Sequence, residues 1–429
     1  MHQKTTLPNG LRVITYPMEG ISTVTLLVVV QAGSKYETKE INGVSHFLEH
    51  MFFKGTTKRP NAQAISETLD VLGGEFNAFT SKEWTGYYVK ADSRHLDLLF
   101  DVISDMFLHS KLSADEIKRE KGVIIEEMNM YQDTPTRYIE DLIELLLYGK
   151  NQPAGWFVLG SKETILNMTR QQMAQYVHAQ YVARDTVVII VGDIYGKDKE
   201  NYHTRLEQKV ASYFKEIPVR EPSGKSVVTE KQDEPQVLFH YKKTDQSHLE
   251  LAVRAYRASH RDMPALSVLS TILGGNMSSR LFFRIRERHG LCYYIRSGIT
   301  AHTDSGYLSV RAGVDNVRFE MALKKIMAEL REIRAKGVLQ KELEKAKDYL
   351  RSKLNLSLET SSDVAFWLGE QEMVEGAIKT KQQILKEINA VTLADISRIA
   401  LDIFRNDKLN LAVIGPYKNT SPFIPLLRF

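Results

Sequence analysis

The chain repeats itself, and that repeat limits its possible folds more than any other feature. Gly86-Tyr87-Tyr88-Val89-Lys90-Ala91, followed by a helical pattern, returns 220 residues later as Gly306-Tyr307-Leu308-Ser309-Val310-Arg311, again followed by a helix. Glu116-Ile117-Lys118 matches Glu342-Leu343-Glu344 at an offset of 226, and the apolar strand Thr186 to Val191 has a counterpart at Leu409 to Ile414. A unit that occurs twice must bury its own hydrophobic faces twice. The expected fold class is therefore α+β, with two homologous α/β-sandwich lobes of about 200 residues each. The stretch 219–235, with Pro, Gly and charge but no periodicity, reads as a linker. It divides the 429 residues into an N-terminal lobe, 1–218, and a C-terminal lobe, 236–429.

Within the first copy, strands are expected at Leu11 to Tyr16, Val24 to Ala32, Phe76 to Thr80 and Tyr87 to Val89. Helices are expected at 61–72, 96–107, 113–131, 135–148, 170–181 and 205–214 from apolar residues at helical spacing. Ser113, followed by Asp115 and Glu116, marks the start of the longest of these. The second copy reads as strands within Val237 to Tyr256 and at Tyr307 to Ala312, with helices at 263–273, 319–336 and 341–354.

One segment carries chemistry that the repeat does not duplicate. Gly43-Val44-Ser45-His46-Phe47-Leu48-Glu49-His50-Met51 reads as a helix, which sets the His46 and His50 rings one turn apart on one face with Glu49 beside them. Two imidazoles at this spacing can share a zinc ion, and a neighbouring carboxylate can act on the water it activates. The order His-x-x-Glu-His is one of the zinc-peptidase signatures. The matching region of the second copy, near Ile272 to Asn276, has no histidine, so a single metal ion per chain is expected. A catalytic zinc needs a third protein ligand. On the 113–131 helix, Val123, Ile124 and Tyr131 flank Glu127 at helical spacing, Glu120 lies two turns earlier on the same face, and Glu126 points more outward. A carboxylate on an apolar face is costly unless paired or metal-bound. This favours Glu127 as third ligand and Glu120 as the acceptor that orients a histidine. The tandem Glu126-Glu127 leaves the assignment dependent on register by one residue.

Composition excludes other classes. The net charge of +4 is small and the basic residues are interspersed with acidic ones, so there is no nucleic-acid footprint. The apolar run at Val24 to Val30 is too short to cross a bilayer. The single cysteine, Cys292, allows no intrachain disulfide and fits a reducing compartment. Residues 1–16 read as a strand and turn rather than a signal or transit peptide, which points to a cytoplasmic protein.

His46-Phe-Leu-Glu49-His50, followed 77 residues after His50 by Glu127, resembles the pitrilysin/insulinase family of zinc peptidases. Phe76-Asn77-Ala78-Phe79-Thr80-Ser81 resembles its substrate-binding edge strand. Gly275-Asn-Met-Ser-Ser-Arg280-Leu-Phe and Arg286-Glu-Arg-His-Gly-Leu-Cys-Tyr293 resemble its second-lobe signature. The size is similar to that of the mitochondrial-processing-peptidase subgroup and its bacterial relatives. The resemblance implies that His46, His50 and Glu127 hold one Zn2+ per chain and that Glu49 is the general base. It implies that Asn77, Ala78 and Phe79 bind peptide backbone as an added strand, and that Arg286 and Tyr293 reach the peptide and the developing oxyanion. A peptide or unfolded, presequence-like substrate and a homodimer follow from it as expectations. The alternatives are a non-catalytic scaffold or partner subunit of a processing-peptidase-like complex, and a closed structural zinc site, which would need a fourth protein ligand.

Overall fold

The computed structural model describes residues 2–196 and 199–429. In chain order the strands are β1 (Gln3–Thr6), β2 (Arg12–Pro17), β3 (Thr23–Val30), β4 (Glu75–Thr80), β5 (Thr85–Asp92), β6 (Thr186–Gly192), β7 (Gln236–Tyr241), β8 (Gln246–Arg254), β9 (Cys292–Ala301), β10 (Gly306–Asp315) and β11 (Leu409–Gly415). The helices are α1 (Val44–Phe52), α2 (Ala62–Asp70), α3 (Leu96–His109), α4 (Ala114–Asp133), α5 (Pro135–Tyr148), α6 (Lys162–Asn167), α7 (Arg170–Gln180), α8 (Tyr202–Tyr213), α9 (Met263–Gly274), α10 (Phe319–Lys336), α11 (Gln340–Leu356), α12 (Ser361–Glu370), α13 (Lys381–Ala390) and α14 (Leu393–Ile403).

The sheets show the duplication directly. The first has the order β1-β2-β6-β3-β5-β4, the second β7-β11-β8-β10-β9. In both, one pair is parallel (β2 with β6, β7 with β11) and the matching remaining pairs are antiparallel. The first sheet differs only by the additional edge strand β1.

The two compact units are not contiguous in sequence. One comprises residues 1–128, 156–226 and 357–378; the other comprises 129–155, 227–356 and 379–429. The contiguous division 1–218 and 236–429 misses this exchange. The segment 219–235 carries no helix or strand, and the chain passes from one unit to the other inside it.

The exchange has a physical cause. In the first unit, β3 is apolar on both faces. Leu26, Val28 and Val30 pack among the helices of the first half, whereas Leu27 and Val29, with Ile14, Ile189 and Val191, form a second apolar face. That face is covered by Val364, Ala365 and Leu368 of α12, which comes from the second half of the chain. In the second unit, Ala252, Ala412 and Ile414 are covered by Ile139, Leu142, Ile143 and Leu147 of α5, from the first half. An amphipathic helix signals that it needs an apolar partner, but its own sequence does not say which sheet supplies one.

Most expected elements occur within a residue or two of their predicted limits, among them α5 and α10. The sequence pattern does not predict strands β1 and β9 or helices α6, α12, α13 and α14. Gly298 interrupts the strand pattern of β9. Among the described residues no helix is long and apolar enough to cross a membrane.

Candidate metal centre

Helix α1 begins at Gly43, whose φ of 96° and lack of a side chain are both required: a Cβ there would lie 2.7 Å from the carbonyl oxygen of Leu159. Glycine cannot cap with a side chain, and Glu37 does so instead. Its carboxylate accepts from the backbone N–H of Gly43 at 2.7 Å and of Ser45 at 2.8 Å, and from Asn42 Nδ2 at 2.9 Å. A buried anion at a helix N-terminus satisfies the free N–H groups and favours the helix dipole. Burial raises the Glu37 pKa against the lowering effect of these hydrogen bonds. Ser45 Oγ lies 2.8 Å from the Tyr176 hydroxyl, fixing the first turn from the side. The apolar side of α1, including Val44, Phe47, Leu48 and Met51, is buried in the core. The histidines therefore have little freedom to turn away.

The rings of His46 and His50 meet edge to face, their centroids 4.8 Å apart. Opposite them is α4. Ile124 on its inward face is fully buried and Glu127, three residues on, is half-buried, whereas Glu126 is exposed. Val123, a neighbour that suggested the inward face, is itself half exposed; Ile124 gave the right direction. Glu127 Oε2 lies 3.6 Å from His46 Nε2 and 3.4 Å from His50 Nε2. Among the described residues this is the one group of three or more His, Cys, Asp and Glu side chains whose ligand atoms converge, all within 4.8 Å of one another. The two imidazoles hold the Glu127 carboxyl well below the usual carboxylate range. Burial works against a charged His50, but Glu127 and Glu120 outweigh it and its pKa is raised.

The donor set fits a zinc ion. Nitrogen and oxygen ligands ~2.1 Å from a tetrahedral ion stand about 3.4 Å from each other, close to the two contacts that Glu127 makes. Among the described residues no fourth His, Cys, Asp or Glu joins the group, unlike a closed structural zinc site with four such ligands. His50 Nδ1 donates to Glu120 Oε2 at 3.1 Å, leaving Nε2 for the ion. Lys54 Nζ lies 2.7 Å from Glu120 Oε1 and so holds the carboxylate from its other side. Among the described residues His46 Nδ1 is buried without a hydrogen-bond partner.

Glu49 sits on the same helix, half-buried. Thr80 Oγ1 donates to its Oε2 at 2.6 Å. Asn77, Ala78 and Phe79 lie on β4, which pairs with β5 on one side and forms the end of the sheet on the other. Asn77 is exposed, Ala78 faces the core that contains α1, and Phe79 packs on the other face against Trp84, 4.7 Å away between ring centroids. In the second unit, Arg286 lies in the π-helical segment Phe282–Glu287, its guanidinium 4.7 Å from the Phe282 ring centroid. Tyr293, on the edge strand β9, is 76% exposed. Helix α9, which follows β8 as α1 follows β3, carries no histidine.

Glu37, Lys54 and Thr80 were not singled out from sequence. Thr80 lay within the edge-strand motif, where its alternation with Phe79 signals which way it faces. Glu37 and Lys54 lack such a signal, because their partners depend on tertiary packing.

Two family profiles match the chain: one described as insulinase, peptidase family M16, over residues 12–154, and one described as the peptidase M16 inactive domain, over residues 167–350. The chain is 36% identical to the uncharacterized zinc protease YmxG of Bacillus subtilis, over 98% of this chain and 99% of that one. It is 33% identical to an uncharacterized zinc protease of Mycobacterium leprae, over 98% and 93%. In fold it is similar to the crystal structure of a protease from Helicobacter pylori, with a TM-score of 0.89 and 23% identity over 97% of this chain and 99% of that one. The two-unit α/β architecture and the inverted histidine motif are thus those of a peptidase class. The chain belongs to peptidase family M16, the insulinase family, among bacterial relatives named as zinc proteases.

Proposed function

We propose that the protein is a zinc-dependent endopeptidase that cleaves peptides or unfolded, presequence-like segments. The convergence of His46, His50 and Glu127 beside Glu49 is the observation that carries this reading. His46 Nε2, His50 Nε2 and one Glu127 oxygen would hold one Zn2+. When bound, the ion supplies Lewis-acid polarisation of the scissile carbonyl and eases deprotonation of the attacking water.

The chain's own residues do the rest. Glu49 takes a proton from the water and returns it to the leaving amine. Glu120, itself held by Lys54, fixes the His50 ring so that Nε2 stays directed at Glu127. The edge of β4 offers backbone N–H and C=O groups to an extended peptide, so a substrate adds as a further strand while its side chains alternate between two faces. Folded proteins present few such segments, which restricts the substrate to peptides and unfolded chain. Arg286 and Tyr293 are assigned to the peptide carbonyls and the developing oxyanion on the resemblance and on their chemistry.

A homodimer in a bacterial cytoplasm completes the proposal. The single chain carries every motif the reaction needs, and its relatives are bacterial. The test is a digest of a library of unstructured peptides, run with the protein as purified, after chelation, and after zinc is restored. Cleavage that disappears and returns supports the reading. Cleavage indifferent to chelation, with loss of bound metal verified, overturns it.

A further inference from the structure

We propose that Thr80 is a positioning residue: its hydroxyl fixes the general base Glu49 and ties that base to the strand on which the substrate docks. This rests on the peptidase reading and adds to it a residue with a definite task.

The geometry comes from the pleat of β4. Successive side chains on a strand point to opposite faces. Phe79 is pinned to the face away from α1 by Trp84 and by Phe366, whose ring centroid lies 5.5 Å away. Its close fit over Gly86, where a Cβ would come within 2.4 Å of the Phe79 ring, allows no slip. Ala78 and Thr80 consequently face α1, and Thr80 Oγ1 reaches Glu49 Oε2 at 2.6 Å. The residue after Thr80 closes a tight turn: Ser81 N–H donates to the Trp84 carbonyl at 2.9 Å, and Trp84 N–H donates to Ser81 Oγ at 3.1 Å. Thr80 is thus held from both sides along the chain.

A hydroxyl has one proton to donate. Given to Oε2, it selects one of the two Glu49 oxygens and fixes the plane of the carboxylate. Among the described residues no donor reaches Oε1, and this oxygen is not sealed in the core. Glu49 therefore has one committed oxygen and one free to take a proton from water. A flexible glutamate without this bond would sample other rotamers, and loss of orientation reduces a proton-transfer rate steeply. Because the donor sits on the docking strand, peptide that orders β4 also orders the base.

The experiment compares Thr80→Val, Thr80→Ala and Thr80→Ser with wild type, all zinc-loaded, in cleavage of one unstructured peptide. Bound zinc and thermal unfolding are measured on the same samples. Valine keeps the β-branched shape and removes only the hydroxyl. The expected result is a kcat about ten- to a hundred-fold lower in the valine and alanine variants, with KM and zinc content unchanged. Serine restores most of kcat. Wild-type kcat in the valine and alanine variants overturns the proposal. So does a change confined to KM, which would make Thr80 a peptide contact, and so does a serine variant as slow as valine. If the zinc-loaded wild type cleaves nothing, the peptidase reading fails and takes this role with it. If the wild type cleaves and the valine variant equals it, the role fails alone.

Discussion

Replacing Glu83 by Gln should destabilise the first unit strongly at neutral pH and progressively less in acid. Glu83 lies in the turn between β4 and β5 and is 4% exposed; Lys35, its partner at 2.8 Å, is 1% exposed. Lys225 bonds to the same carboxylate. The pair ties the turn of the β4–β5 hairpin to the segment just before α1, where Lys35 N–H also donates to the Lys82 carbonyl at 2.8 Å. Burial alone would raise the Glu83 pKa, but Lys35 and Lys225 outweigh it and hold the carboxyl at about 2, against an ordinary value of 4.5. That depression is worth about 3 kcal/mol. Because the folded-state pKa is the lower one, this stability is fully present above the unfolded value near 4.5. It is lost as pH falls through the folded value near 2. Glu83→Gln also takes a carboxylate away from beside the buried Lys35 ammonium, so the neutral-pH loss should be of about this size. For a unit of this size it corresponds to a melting temperature about 6–12 °C lower. Thermal unfolding of both proteins at pH 7.5 and at pH 3 measures it. The gap should be large at pH 7.5 and smaller at pH 3. An equal gap at both, or a loss below about 1 kcal/mol at pH 7.5, would refute the argument.

Three further outcomes follow from the geometry. Glu127→Gln should lower zinc occupancy at least tenfold, whereas Glu126→Gln, on the exposed face, should leave it near wild type; metal analysis after dialysis against a weak chelator decides. Residues 1–226 expressed alone lack α12, so Leu27, Val29 and Ile189 lose their cover. This fragment should aggregate or bind a hydrophobic dye, and co-expression with 227–429 should recover soluble, zinc-binding protein; a stable soluble fragment would contradict the exchange. Mixing Glu49→Gln with Tyr293→Phe chains should restore part of the activity if a homodimer supplies Tyr293 across the pair, and no recovery despite subunit exchange would assign Tyr293 to its own chain.

The duplication was legible because it is written in two forms at once, as repeated residues at 86–91 and 306–311 and as repeated element order. His46, Glu49 and His50 were legible because a helix turns spacing into direction. Glu127 followed for the same reason, with Ile124 as the informative neighbour. The exchange of α5 and α12 was not legible, since an apolar stripe gives no address, and α12 itself was missed. The supports of the site were equally hidden. Glu37 caps a helix it does not adjoin, Lys54 meets Glu120 across 66 positions of sequence, and Thr80 meets Glu49 across 31. Such contacts exist only once the sheet and α4 have brought distant segments to α1.

The central claim is that this centre holds zinc and uses Glu49 as a base to hydrolyse peptide bonds. The most direct test takes wild type and Glu49→Gln, loads both with zinc, and measures bound metal and peptide turnover on the same samples. The account predicts equal zinc, because Glu49 is no ligand, and a turnover at least about a hundred-fold lower in the variant, because the proton acceptor is gone. A Glu49→Gln chain that holds zinc and cleaves at the wild-type rate would contradict it.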